Sequence, residues 1–143
     1  MRRSIRKIVV DSSVISKWVN SQNEEHLEQA DKLIKDSRNG LIRLFAPELA
    51  KYEVGNALWK KGLEIPMAKA SLATIYASPV EFIKQNKDLA TRSMEIALNC
   101  KITFYDATFL SLAESLGADL VTDNPKHQSK FTDVKVIPLG EVA

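Results

Sequence analysis

The sequence predicts a three-layer α/β/α fold built on a central, mainly parallel sheet, and three observations carry that prediction. Short apolar runs alternate along the chain with segments of helical length. The 143 residues, 45% apolar and 27% charged, have the size and composition of one globular domain spanning 1–143. No repeat, low-complexity tract or Gly/Ser linker divides them. Strands alternating with helices imply right-handed crossovers and a sheet covered on both faces.

The elements follow in order. KIVVD at 7–11 reads as a short buried strand ended by an acid, and residues 12–19 begin a helix with Ser12 or Ser13 as its cap. Residues 24–38 are helix-forming, with Leu27, Ala30 and Ile34 as a thin apolar stripe. LIRLFAP at 41–47 is a second strand, and Glu48 to Lys61 a helix stopped by Gly62. Pro66 fits the first turn of another helix, through about Tyr76. Val80 to Ile83 reads as a strand, Asp88 to Asn99 as a helix, and Tyr105 to Leu116 as a helix closed by Gly117. DLVT at 119–122 and VKVIPL at 134–139 complete the strands.

Composition narrows the function. No apolar run approaches the roughly 20 residues that cross a bilayer, and the N-terminus lacks the apolar stretch of a signal peptide, so a cytosolic protein is expected. Cys100 is the single cysteine, and His26 and His127 have no zinc-type spacing. Any bound metal would therefore meet oxygen ligands, as magnesium or manganese does, or calcium. The charge of +2 is only mildly basic. Arg2, Arg3, Arg6 and Lys7 at one end, and Lys126, His127 and Lys130 near the other, are positioned to meet phosphates or simply to be solvated.

Four acids stand out. Asp11 follows the run Ile8–Val10, and Asp123 follows Leu120–Thr122, so parallel central strands deliver both to one edge. Ligands bind at that carboxyl edge in such sheets. Glu53 lies one turn from both Leu49 and Ala57, on an arc expected to face the core, with Asn56 beside it. Asp106 sits one turn below Phe109 and Leu110 and is also expected to face inward. Each acid has an ordinary structural reading as well. Asp11 can cap the next helix, Asp106 can complete a capping box with Thr103, and Asp123-Asn124-Pro125 is a common turn. Together, however, four carboxylates in one cleft repel one another unless a cation lies among them. A divalent ion removes that conflict and suits phosphodiester hydrolysis.

The ordered set VVDSSV, PELAKYEVGNAL and TFYDATFLSLAESLGADLVTDN resembles the PIN-domain family, and within it the VapC-type toxins of toxin–antitoxin pairs. The resemblance runs from about Ile8 to Ile137. It implies a magnesium- or manganese-dependent ribonuclease that acts on RNA, forms a homodimer and is held inactive by a small antitoxin protein. Asp11, Glu53 and Asp106 fall on the family's first three acidic positions, Asn56 on its polar neighbour and Thr122 on the hydroxyl ending the later strand. The family has T-x-D after that strand, where this chain reads Thr122-Asp123-Asn124, so either Asp123 or Asn124 fills the fourth position.

The resulting expectation is single-strand RNA cleavage by metal-activated water. Asp11, Asp106 and Asp123 hold the ion or its waters, and Glu53 ligates it or positions the attacking water. Ser12, Ser13 and Thr122 hydrogen-bond these ligands, while Lys126, Lys130 and the N-terminal arginines hold the RNA backbone. Two other readings compete. A phosphatase or receiver-like protein would use Asp11 as phosphoacceptor, although Ser13 stands where such phosphatases place a second Asp. A catalytically weakened PIN-like binding module would keep the fold alone, and Asn124 is its best support. For the antitoxin, the 24–38 stripe with Trp18, Val19 and Leu27 offers an apolar surface, unless those residues pack within the domain.

Overall fold

A computed structural model describes residues 5–19 and 24–143. Among the described residues, five parallel strands form one sheet in the order β3-β2-β1-β4-β5. They are β1 (Arg6–Val10), β2 (Ile42–Pro47), β3 (Val80–Ile83), β4 (Asp119–Thr122) and β5 (Val136–Pro138). The helices are α1 (Ser12–Trp18), α2 (Leu27–Arg38), α3 (Leu49–Lys60), α4 (Ile65–Ala77), α5 (Lys87–Cys100), α6 (Phe104–Leu116) and α7 (Pro125–Gln128). This is the expected three-layer α/β/α fold.

The centre of the sheet is buried because the middle residues of its central strands are apolar. Ile8, Val9, Val10, Leu44, Phe45, Ala46, Leu120 and Val121 are all at most 3% exposed. The chain builds outward from β1 through β2 to β3, then returns across β1 to β4 and β5. The reversal makes the boundary between β1 and β4 the switch point, where open α/β sheets bind their ligands. Val10 pairs with Val121, and Asp11 N–H donates to the Val121 carbonyl at 3.0 Å. Asp11 and Thr122 therefore leave the sheet level with each other.

Helix α6 is the best-enclosed element: every residue from Ala107 to Ala113 is buried. It packs on β1 and β2 on one side and on α5 on the other. The Leu89 carbonyl of α5 accepts from Ser93 Oγ at 2.7 Å and from Ser111 Oγ of α6 at 3.1 Å. Its ends are set locally, by Thr103 Oγ1 accepting the Asp106 N–H at 3.0 Å and by Gly117 at φ 63°. Asp106 thus stands on a helix with little freedom to move.

The structure departs from the sequence reading in a few places. Asp11, not Ser12 or Ser13, is the cap of α1, its carboxylate accepting the Ser13 N–H at 3.2 Å. In α2 the buried residues are Ala30 and Leu33, so the stripe is rotated from the expected Ile34. Trp18 and Val19 pack inside: Trp18 Nε1 donates to the Ala30 carbonyl at 2.8 Å and Val19 is 3% exposed. The last strand is only three residues, with Val134 buried before it and Leu139 turning into a 3-10 helix. No helix among the described residues is long and apolar enough to cross a membrane.

Because Ala107 to Ala113 of α6 are all buried, truncating Phe109, 1% exposed, leaves a cavity that the surroundings cannot close. Phe109→Ala is expected to cost about 3–5 kcal/mol in urea unfolding. A cost below about 1 kcal/mol would show that α6 is not the packing centre described.

Candidate active site

Asp11 ends β1 and is the centre of the site. Its Oδ2 accepts from Ser13 Oγ at 2.7 Å, from Ser13 N–H at 3.2 Å and from Thr122 Oγ1 at 3.2 Å. Its Oδ1 faces the side-chain amide of Gln128 at 3.5 Å. Hydrogen bonds of this kind fix the plane of the carboxylate. Thr122, fully buried, also accepts the Asn124 N–H at 3.1 Å, so one hydroxyl ties the strand end to the loop beyond it.

Glu53 comes from α3, where Ala50, Val54 and Leu58 form the buried stripe. Glu53 flanks this stripe and is half-buried, and Asn56 is exposed, so the expected core-facing arc is displaced by one position. Ser12 Oγ donates to Glu53 Oε1 at 2.7 Å, joining α1 to α3 beside Asp11. Burial pushes the Glu53 carboxyl above the usual carboxylate range, and Asp11 and Asp106 add to the effect against the Ser12 hydrogen bond. Asp106 is raised in the same way, first by burial and then by Asp11, while Thr103 and His127 pull it down. Glu53 and Asp106, on two different helices, thus both sense the charge of Asp11.

Asp123 is placed differently. Its main-chain N–H donates to Ser13 Oγ at 3.0 Å, and its side chain borders the groove that Asp11 and Asp106 also line. Both of its oxygens are engaged: Oδ2 by Lys17 Nζ at 3.2 Å, Oδ1 by His26 Nδ1 at 3.1 Å. Lys17 also reaches Glu24 at 3.4 Å. Burial works against the Lys17 charge, but Asp123 and Glu24 outweigh it and hold the ammonium above the usual lysine value. His26 fits because residue 140 is glycine; a Cβ there would stand 2.7 Å from His26 Nε2. Asn124, exposed, precedes α7 and makes no capping bond with its side chain.

Two participants were absent from the sequence reading. Gln128, 2% exposed, sends its amide towards Asp11 Oδ1 and, at 3.4 Å, the Asp106 carbonyl. It lies on the four-residue α7, too short to leave a periodic signal. Lys17 shares a helix face with the buried Val14, which was its one clue. The basic residues divide. Exposed Lys126 and His127 line the acidic groove. Arg6 and Lys7 begin β1, so at about 3.3 Å per residue they lie roughly 16 Å and 13 Å along the strand from Asp11. Arg6 is paired with Asp119 at 2.8 Å, and Arg2 and Arg3 lie outside the described residues.

Among the described residues, no three His, Cys, Asp or Glu side chains stand close enough to grip an ion directly. The donor set of Asp11, Glu53 and Asp106 is all oxygen, mutually repelling and partly buried. It fits a hard dication that keeps part of its water shell between itself and the protein, as magnesium does.

Fold and site together define an α/β/α domain with an acidic centre at the switch point of a parallel sheet. The chain belongs to the PIN-domain family, whose model matches residues 8–133. It is 30% identical over 130 residues to Ribonuclease VapC3 of Pyrobaculum aerophilum, covering 87% of this chain and 95% of that protein. The crystal structure of PAE2754, also from Pyrobaculum aerophilum, superposes with a TM-score of 0.64 at 27% identity, over 92% of this chain and 90% of that one. The VapBC2 structure from Rickettsia felis, bound to a DNA fragment from their promoter, gives a TM-score of 0.71 at 15% identity, over 92% and 98% of the two chains. That likeness speaks to the fold.

The raised carboxyls have a consequence for stability. A carboxyl raised by folding favours the folded state while protonated and loses that advantage as pH rises through its raised range. Near neutral pH the charged Glu53 and Asp106 therefore oppose folding in metal-free protein. Glu53→Gln and Asp106→Asn are expected to raise the thermal midpoint in EDTA at neutral pH, and the gain should shrink on acidification. An unchanged or lowered midpoint at neutral pH would contradict the electrostatic description.

Proposed function

We propose that this protein is a divalent-metal-dependent endoribonuclease of the VapC kind, the toxin partner of a toxin–antitoxin pair. The observation that carries the reading is the Asp11–Glu53–Asp106 trio at the switch point, where two of the three carboxyls are raised by burial and by their neighbours. The identity to Ribonuclease VapC3 supports RNA as the substrate. The VapBC2 relative supports a second protein as partner.

In this reading Asp11, Glu53 and Asp106 would hold a magnesium or manganese ion at least partly through its waters. Such an ion, when bound, makes a bound water more acidic and offsets charge gathering on the phosphate. The chain's own residues do the rest. Ser13, Thr122 and Gln128 keep Asp11 in one orientation, as hydrogen-bonded neighbours of metal ligands do. Ser12 holds one oxygen of Glu53, leaving the other to align an attacking water and accept its proton. Lys126 and His127 flank the groove where an RNA backbone passes. Asp123, its charge met by Lys17 and His26, anchors the loop at the rim, and Asn124 beside it offers an uncharged oxygen. The exposed apolar residues Tyr52, Trp59 and Tyr76 of α3 and α4 provide surface for a second copy of the chain or for the antitoxin.

The test is cleavage of single-stranded RNA with Mg²⁺, Mn²⁺ or EDTA. Wild type is expected to cut with either ion and stop in EDTA, and Asp11→Asn to lose about 100-fold or more. Metal-independent cutting, or full activity in Asp11→Asn, would refute the assignment. The engaged Asp123 also favours a second reading, a binding module that kept the fold and lost catalysis. Calorimetry separates the two, since such a module would fold normally and bind no Mn²⁺.

A further inference from the structure

The carboxyl edge does not end at the three acids. Towards β3, the ends of β2 and β3 and the flanks of α3, α5 and α6 enclose a small hollow of about 170 Å³. Its walls are apolar, with Pro47, Leu49, Ile83, Leu89 and Phe104 among them. Tyr105, the residue before Asp106, lines it with 59% of its own surface exposed. One carboxylate borders the hollow, Glu48, and Lys51 offsets it at 3.1 Å. Gln85 is on the wall too, exposed, and its side-chain amide makes no hydrogen bond among the described residues.

The two sides of the acid trio therefore differ in chemistry. Towards α7 the groove is polar and carries Lys126 and His127. Towards β3 it is an apolar hollow with an exposed aromatic ring at Tyr105. A nucleic acid that delivers one phosphodiester to the trio must deliver the flanking base to an adjoining wall, because base and phosphate belong to one nucleotide. Every base has a flat face that stacks on aromatic side chains and an edge that amides recognise. Phosphates suit the cationic side and a base suits the apolar one. No other candidate occupant is tethered to the site in this way.

We propose that this hollow is a nucleobase subsite, which takes the base next to the cleaved phosphodiester, with Tyr105 stacking on its face and Gln85 reading its edge. The inference rests on the ribonuclease reading and narrows it, by assigning sequence preference to named residues outside the acid trio.

The experiment uses the full chain carrying Asp11→Asn, which prevents cutting, and fluorescence anisotropy with a labelled single-stranded RNA. Replacing its bases one at a time by abasic units locates the base that the protein holds. Adding Tyr105→Ala is expected to weaken binding roughly five- to a hundredfold, the worth of one base–aromatic stack. Tyr105→Phe should restore it to within about twofold of the tyrosine protein, since the stack needs only the ring. One abasic position should weaken the Tyr105 protein and not further weaken the Tyr105→Ala protein. In chain with Asp11 intact, Gln85→Ala should change which base precedes or follows the cut. Unchanged RNA affinity in Tyr105→Ala overturns the proposal, as does a loss spread evenly over all abasic positions. Unchanged RNA affinity with weakened self-association in sedimentation would assign the hollow to a protein contact instead. Absence of RNA binding in every version would remove the ribonuclease reading itself, and the subsite with it.

Discussion

The carboxylate of Asp11 is the constraint on which the rest of the site depends, because it can stand where it does only if several distant elements agree. One oxygen takes bonds from Ser13 on α1 and from Thr122 at the end of β4, and the other faces Gln128 on α7. Asp11 also caps α1, so its side chain decides where the first helix begins. Shift the β1–β4 register by one residue and Thr122 would turn to the other face of the sheet, leaving Asp11 without that donor. The parallel register and the acidic site are therefore one structural fact seen at two scales.

Around that fixed charge the protein gathers two more. Glu53 and Asp106 arrive on helices whose positions are set by apolar packing: Ala50, Val54 and Leu58 on α3, and seven consecutive buried residues on α6. Hydrophobic burial thus holds in place an arrangement that electrostatics alone opposes. The opposition is visible in both raised carboxyls, and it is the condition that a dication relieves. Asp123 shows the contrasting solution, since a lysine and a histidine meet the charge of that fourth acid.

Much of this was legible in the sequence, for identifiable reasons. The strands were apparent because buried parallel strands are uninterrupted apolar runs, as at Ile8–Val10 and Leu120–Val121. Asp11 and Asp106 were apparent because a strand end and a capped helix start are local signals, and both ordinary cap readings proved compatible with the site. What stayed hidden depends on partners remote in sequence. Nothing local says that Lys17 and His26 converge on Asp123, or that Gly140 leaves room for the imidazole. Gln128 sits on a single helical turn, and the turn-like Asp-Asn-Pro sequence before it gave no hint of a buried amide. The sequence left Arg6 between phosphate contact and solvation, because a cluster of charges does not reveal which edge of the sheet it joins.

The most direct measurement of the central claim, that the parallel sheet assembles Asp11, Glu53 and Asp106 around a dication, is anomalous scattering from crystals soaked in Mn²⁺. A manganese peak is expected within reach of those three carboxylates, with Lys17 and His26 still on Asp123. A peak coordinated by Asp123 in place of the trio, or none in crystals whose groove is open to solvent, would contradict it.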